Sequence, residues 1–267
     1  MITYNHSEYI KQAVESILEQ KTDFDFELII ANDSSPDTTD EVVNDIIKTN
    51  PNGYKVKYFS HKKNIGMMPN FIFLMQQAAG KFCALCEGDD YWTDPLKLQK
   101  QVDFLEANLD YSICFHNVEI LNNGLLKQDN PKKRTLETST IFDLANGNYI
   151  HTPSVMYRNH LIPNLPEYFK NSPIGDYFLH MLNAKYGKIK YIDENMAVYR
   201  VHSSSYWSSK KQIEREIIWI NFIKNIKENF EPKVQNLLEI QINRIKYKRL
   251  NTYARILYKL KKALKIQ

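Results

Sequence analysis

A chain of 267 residues, 43% hydrophobic and 25% charged, can bury the core of one large α/β domain with a small appendage, or of two small domains; a disordered class is excluded. Three cysteines are too few for a disulfide framework and favour a reducing compartment. The net charge of +4 is unevenly spread: nine Lys and Arg residues follow Glu239, the last acid, and the body before them holds 26 basic against 31 acidic groups. An acidic body without a binding motif argues against a nucleic-acid partner.

The chain opens on Met1-Ile2-Thr3-Tyr4-Asn5, which reads as the end of a strand; either the first strand is very short or its beginning lies outside this sequence. No signal peptide is visible, and no apolar stretch reaches the roughly 18 residues that span a bilayer. Ile10, Ala13, Val14, Ile17 and Leu18 fall at helical spacing after Ser7, a candidate N-cap. A strand over 24–31 runs into the polar turn Asn32-Asp33-Ser34-Ser35-Pro36. A helix over 38–48 and a strand over 56–60 follow. Asn64-Ile65-Gly66 opens a loop before a helix that Gly80 stops. The run 81–86 reads as a buried strand, so Cys83 and Cys86 point to opposite faces and are packed thiols rather than a redox or zinc pair. Asp94-Pro95 predicts the next helix as N-cap and first-turn proline, and 111–121 a strand.

Four alternations of strand and helix in the first 120 residues predict a mostly parallel sheet with helices on both faces. Ligands of such sheets bind at the C-terminal strand ends, where Asn5, Asp33, Asn64 and Glu87-Gly88-Asp89-Asp90 should converge. Residues 122–138 read as a polar surface loop, 154–157 as a short strand, 176–186 as a helix and 189–199 as one or two short strands. From Gln212 onward the chain is helical, broken at Pro232. Residues 1–210 make the main domain, with 1–120 its first half and 121–210 its second; 211–267 form a helical, basic extension.

The first strand lacks a G-x-G-x-x-G turn, and no phosphate-binding G-x-x-x-x-G-K-[ST] loop occurs. A diphosphate in this crevice would need a cation, and Asp89 and Asp90 at a strand end suit Mg²⁺ or Mn²⁺. The plain alternative is a solvated acidic turn before a helix. Asp176 is either a capping acid or a base beside the crevice.

The motifs Thr3-Tyr4-Asn5-His6, Asn32-Asp33-Ser34-Ser35, Asn64-Ile65-Gly66, Ala79-Gly80-Lys81 and Glu87-Gly88-Asp89-Asp90, in this order and spacing, resemble the family 2 glycosyltransferases of GT-A fold. The resemblance implies a metal-dependent, inverting sugar transfer from a nucleotide diphosphate, UDP first. The acceptor would be a sugar or lipid-linked sugar in surface polysaccharide or glycolipid assembly. It implies base contacts from Thr3, Tyr4 and Asp33, a place for Asn5, Asn64 and Gly66 in the nucleotide-sugar site, and Asp89 near ribose and sugar. It further implies Asp90 as metal ligand with Glu87 in the first acid's place, and Asp176 as the catalytic base. Arg200-Val201-His202 resembles the loop that closes over the donor, which makes His202 a second metal or diphosphate ligand. His151 falls on the acceptor side, and Tyr91, Trp92, Tyr206 and Trp207 could stack on sugars or simply pack.

Two rivals differ in class. A sugar-nucleotide pyrophosphorylase would carry a glycine-rich basic loop where this chain has Asn5-His6-Ser7-Glu8-Tyr9. A non-catalytic relative would keep the fold as a binding module. The tail carries an apolar stripe, Tyr253, Ile256, Leu257, Leu260 and Leu264, between lysines. Such a helix can lie on an anionic membrane, pack on a partner or end in solvent. The first reading places the protein in the cytoplasm, peripheral on the inner face of the membrane.

Overall fold

The computed structural model describes residues 1–129, 136–202, 205, 207 and 209–249. Its first part alternates as the apolar runs demand: β1 (Ile2–Thr3), α1 (Ile10–Leu18), β2 (Leu28–Asn32), α2 (Thr39–Thr49), β3 (Val56–Ser60), α3 (Met67–Gln77) and β4 (Phe82–Ala84). There follow β5 (Tyr91–Trp92), α4 (Lys97–Ala107), β6 (Tyr111–Asn122), β7 (Leu125–Gln128), β8 (Thr138–Ser139) and α5 (Ile141–Leu144). The chain continues through β9 (Met156–Arg158), α6 (Gly175–Asn183), β10 (Lys188–Val201), α7 (Gln212–Ile226) and α8 (Pro232–Arg249).

Strands β1, β2 and β3 pair in parallel in that order. The other seven form a second sheet, β4-β9-β6-β10-β5, with β7 on β6 and β8 on β10. Its long ladder, β6 with β10, is parallel, while the short strands pair antiparallel. The Gly88 amide donates to the Ile2 carbonyl at 3.1 Å and stitches the two sheets at the end of β1. The α/β class expected from the first half holds. The strands that run against β6 and β10 are β5 from the first half and β7, β8 and β9 from the second.

Several local expectations shift. Ser7 caps nothing: its amide donates to Asp37 Oδ2 at 2.9 Å, and α1 starts after Tyr9 without a side-chain cap. Asp94 Oδ1 instead accepts from Leu96 N at 2.8 Å, and α4 starts later, at Lys97. Residues 189–199 are part of one 14-residue strand. Its ladder register shifts between Ile192 and Ala197, which absorbs the polar run Asp193-Glu194-Asn195 that had disguised it. Inside the expected surface loop, β7 and β8 form edge strands.

Helices α7 and α8 share one core with α6. Phe222, Ile223, Val234, Leu238 and Ile242 pack with Tyr177, Phe178 and Met181, all buried. Gln241 Nε2 donates to the Ala145 carbonyl at 2.8 Å in the same layer. The tail stripe from Tyr253 to Leu264 lies outside the described residues. Among the described residues no helix is long and apolar enough to cross a membrane.

The other core, under β2 and α1, contains a charge. Lys97 is fully buried, its Nζ 2.6 Å from Gln101 Oε1 and 4.1 Å from the Trp92 ring centroid. Burial pushes its ammonium down from 10.5 to about 7. Cys86 and Cys114 beside it are buried free thiols, both pushed up by desolvation. Unfolded, Lys97 keeps its proton across the interval from about 7 to 10.5, whereas folded it does not. Stability should therefore rise with pH through that window, and the cost of the buried charge should be complete below it. In paired melts, wild-type stability relative to Lys97→Met is expected to climb by up to about 1.4 kcal/mol per pH unit between neutrality and pH ~10. A pH-independent difference would contradict the assignment.

Candidate functional site at the C-terminal strand ends

The end of β1 is the hub. The Asp33 amide donates to the Thr3 carbonyl at 3.0 Å on one flank, and Gly88 joins Ile2 on the other. Thr3 Oγ1 lies 3.2 Å from His6 Nδ1. Gly88 must be glycine for this approach, because a Cβ there would stand 2.7 Å from Thr3 Oγ1 and 2.8 Å from His6 Nδ1. Asn5 turns the chain at φ 60°, and its amide donates to Ser35 Oγ at 2.9 Å. Tyr4 is 46% exposed at the same rim.

Asp33 is buried and holds the next loop. Its Oδ1 accepts from Ile65 N at 2.7 Å and its Oδ2 from Gly66 N at 2.9 Å. Asn64 Nδ2 adds a bond to the Asp33 carbonyl at 3.2 Å, and Gly66 takes φ 94°, which favours glycine. Thr3, Asn5, Asp33, Asn64 and Gly66 therefore form one connected rim, in which Asn5, Asp33 and Asn64 stand at the strand ends where the alternating pattern put them.

The acidic cluster closes the other side. Glu87, Asp89 and Asp90 each bring one carboxylate oxygen within 4.8 Å of the others. Asp90 Oδ1 accepts from the Arg200 amide at 2.8 Å, while Asp90 Oδ2 and Asp89 Oδ1 are buried without a hydrogen-bond partner. Desolvation and the charges of Asp89 and Asp176 push Glu87 up to about 8. Desolvation, Asp89 and Glu87 push Asp90 well above the usual carboxylate range. Asp89 goes the other way: burial opposes its ionisation, but the hydrogen bond from His202 and the nearness of His6 and His202 outweigh it. His202 Nε2 is 3.0 Å from Asp89 Oδ2, and His6 Nε2 is 3.9 Å away. Unpaired buried oxygens on a hard-donor carboxylate set fit a divalent cation such as Mg²⁺ or Mn²⁺. A solvated acidic turn would not bury them.

Arg200 fastens β10 to this cluster. Besides its amide, Nη1 donates to the Asp89 carbonyl at 2.6 Å, Nη2 bonds Gln12 Oε1, and the guanidinium lies 4.5 Å from the Tyr91 ring centroid. Trp92 does not face a sugar: it is buried, and its Nε1 donates to the Pro153 carbonyl at 3.0 Å. Tyr206 lies outside the described residues.

Next to the cluster opens a cavity of about 600 Å³, lined by Glu87, Asp89, Asn148, His151, Asp176 and Trp207 among others. A larger one, about 1260 Å³, lies by Met1, Leu28 and Phe82 at the opposite strand ends and contains none of the cluster. Asp176 is not the cap of α6; Ile174 holds that position, and Asp176 sits in the first turn. Asn148 Nδ2 donates to Asp176 Oδ2 at 3.3 Å. The first turn of α6 is packed against α3 so closely that a Cβ on Gly175 would stand 2.6 Å from Met68 Sδ. His151 Nε2 is 2.9 Å from Asp129 Oδ2, and its ring lies on Tyr199 at 5.1 Å.

The sequence profile described as Glycosyl transferase family 2 matches residues 1–162. The chain belongs to this family. The Mycobacterium tuberculosis protein Rv1520, uncharacterised, is 36% identical over 209 residues, which cover 78% of this chain and 59% of that one. The chain thus spans 59% of the length of such relatives. The abequosyltransferase RfbV of Salmonella typhimurium is 28% identical over 148 residues, 55% of this chain and 43% of that one. Among solved structures, S. aureus TarS 1–349 in complex with UDP-GlcNAc superposes with a TM-score of 0.67 at 20% identity, covering 91% of this chain and 70% of that one. The Pyrobaculum calidifontis mannosyltransferase PcManGT, in complex with GDP-Man and Mn²⁺, gives 0.67 at 15% identity, covering 100% of this chain and 79% of that one. At these identities the two structures establish the GT-A fold.

Three side chains of this candidate site had no role assigned from sequence. His6 was visible inside Thr3-Tyr4-Asn5-His6, and Arg200 inside Arg200-Val201-His202, but nothing local couples them to Asp89. Asn148 carried no signal, since only the fold brings it to Asp176.

Proposed function

We propose that the protein is an inverting glycosyltransferase that moves a sugar from a nucleotide diphosphate, UDP first, to an acceptor hydroxyl. The observation that supports it most is the acidic cluster with orphaned carboxylate oxygens sharing one cavity with Asp176. The ligands named for TarS and PcManGT, UDP-GlcNAc and GDP-Man with Mn²⁺, agree in chemical class.

Thr3, Tyr4, Asn5, Asp33, Asn64 and Gly66 cradle the base and ribose. Asp89, kept ionised beside His202, faces the ribose and donor sugar. Asp90, with Glu87 and His202 beside it, would hold a Mg²⁺ or Mn²⁺ ion, which would supply positive charge to offset the diphosphate leaving group. Asp176 takes the proton of the acceptor hydroxyl. The hydroxyl oxygen attacks the anomeric carbon from the face opposite the diphosphate, the bond to the diphosphate breaks, and the configuration inverts. The setting we propose is assembly of a surface polysaccharide or glycolipid at the inner face of a membrane, with the basic C-terminal segment resting on anionic lipid.

Calorimetric titration of UDP is expected to show Mn²⁺-dependent binding to the wild type and its loss in Asp90→Ala. Tight binding indifferent to both the metal and Asp90 would contradict the metal assignment. Asp176→Asn is expected to lower transfer, or donor hydrolysis, by about 10²–10⁴-fold with UDP binding intact; unchanged turnover would remove Asp176 as base. Sedimentation with phosphatidylserine vesicles should be lost on deleting residues 250–267 and weakened by salt. Retention after deletion would exclude the tail.

A further inference from the structure

The cavity beside Asp176 is lined by the acids Glu87, Asp89, Asp176 and, on α7, Glu216, and by a single arginine, Arg215. Arg215 stands in the first turn of α7, its amide 3.0 Å from the Lys211 carbonyl, and it is half-buried. The other arginines with described side chains spend their guanidinium groups on the protein. Arg158 bonds the Tyr111 and Asn108 carbonyls, Arg200 the Asp89 carbonyl, and Arg244 the Asn146 carbonyl. The Arg215 guanidinium has no hydrogen bond or ion pair among the described residues. A partly desolvated cation with five unused donors is matched by an oxyanion, which a guanidinium binds in a bidentate way.

The wall that carries it is built and held. Trp207 and Trp219 line the same cavity with ring centroids 6.1 Å apart, and Trp219 stacks on Tyr177 at 5.1 Å. Gln241 accepts from the Trp219 indole and donates to the Ala145 carbonyl, pinning α7 to α8 and both to the body. Of the residues that we assign to the donor, Asp89 and the neighbouring Glu87 line this cavity while Thr3, Asn5, Asp33, Asn64 and Gly66 do not; Asp176, Asn148 and His151 line it too. Arg215 thus shares with Asp176 the cavity in which, on the glycosyltransferase reading, the acceptor hydroxyl meets its base.

We propose that Arg215 receives an anionic group of the acceptor, so that this enzyme glycosylates an acidic or phosphate-bearing sugar rather than a neutral one. This rests on the glycosyltransferase reading above. The apolar faces of Trp207 and Trp219 would then cover the sugar ring while the guanidinium fixes its charged substituent.

The test uses glucose 6-phosphate, glucuronate and glucose as probes, titrated by ligand-observed NMR into the full chain with and without UDP and Mn²⁺. The wild type is expected to bind at least one of the anionic sugars at least tenfold more tightly than glucose. If only glucose 6-phosphate gains, the group is a phosphate; if glucuronate gains equally, any oxyanion serves. Arg215→Ala should erase the preference, Arg215→Lys should retain part of it, and UDP affinity should be unchanged in both. Equal affinity for all three sugars in the wild type, or a preference that survives Arg215→Ala, overturns the proposal. So does a tenfold loss of UDP affinity in Arg215→Ala, which would put the guanidinium on the donor diphosphate. The arm without UDP keeps the two readings apart: a wild type that binds no UDP refutes the donor reading, while the anion preference is still measured.

Discussion

Three carboxylates at one strand end cannot all be ionised in a site screened from water. Glu87, Asp89 and Asp90 meet that constraint by dividing: Asp89 is held ionised by the imidazole of His202, while Glu87 and Asp90 are pushed toward their neutral forms. The division leaves Asp90 Oδ2 and Asp89 Oδ1 without partners. Much of the surrounding structure serves this arrangement. Gly88 lets the cluster touch β1, β10 reaches back to place the Arg200 amide on Asp90, and His6 stands behind Asp89. On the proposed reading, these carboxylates would hold the cation that a chain without a glycine-rich phosphate cradle needs beside a diphosphate.

The cavity joins this cluster to the second half of the chain. Asp176 raises Glu87 from across it, and Asn148 orients the Asp176 carboxylate. The close approach at Gly175 fixes the first turn of α6 against α3, so the proposed base sits on a rigid element rather than a loop. Helices α7 and α8 complete the wall. They are part of the core under α6, and through Trp219 and Arg215, with Trp207 just before α7, they shape what can enter.

Legibility in the sequence followed the range of the interaction. Helices α1 and α2 and strands β2 and β3 were readable because apolar periodicity is local. The strand-end positions followed from the βαβ rule alone, which is why Asn5, Asp33, Asn64 and Asp89 converge as expected. Caps were misplaced at Ser7 and Asp94 because Asp37 and the Leu96 amide compete for them. Strand β10 was read as one or two short strands because the polar residues at its register shift interrupt the apolar pattern. Arg200 and Asp90 are 110 residues apart, and Lys97 lies in the core under a tryptophan. No spacing rule connects such pairs; only the packed sheet does.

The central claim is that a cation joins this particular trio to a nucleotide diphosphate. Crystals grown with UDP and Mn²⁺ test it through anomalous scattering at the manganese edge. The account requires one anomalous peak in contact with Asp90 and at least one of Glu87, Asp89 and His202, with the UDP phosphates on its other side. UDP density with no manganese peak there, or with the peak on other residues, would contradict it.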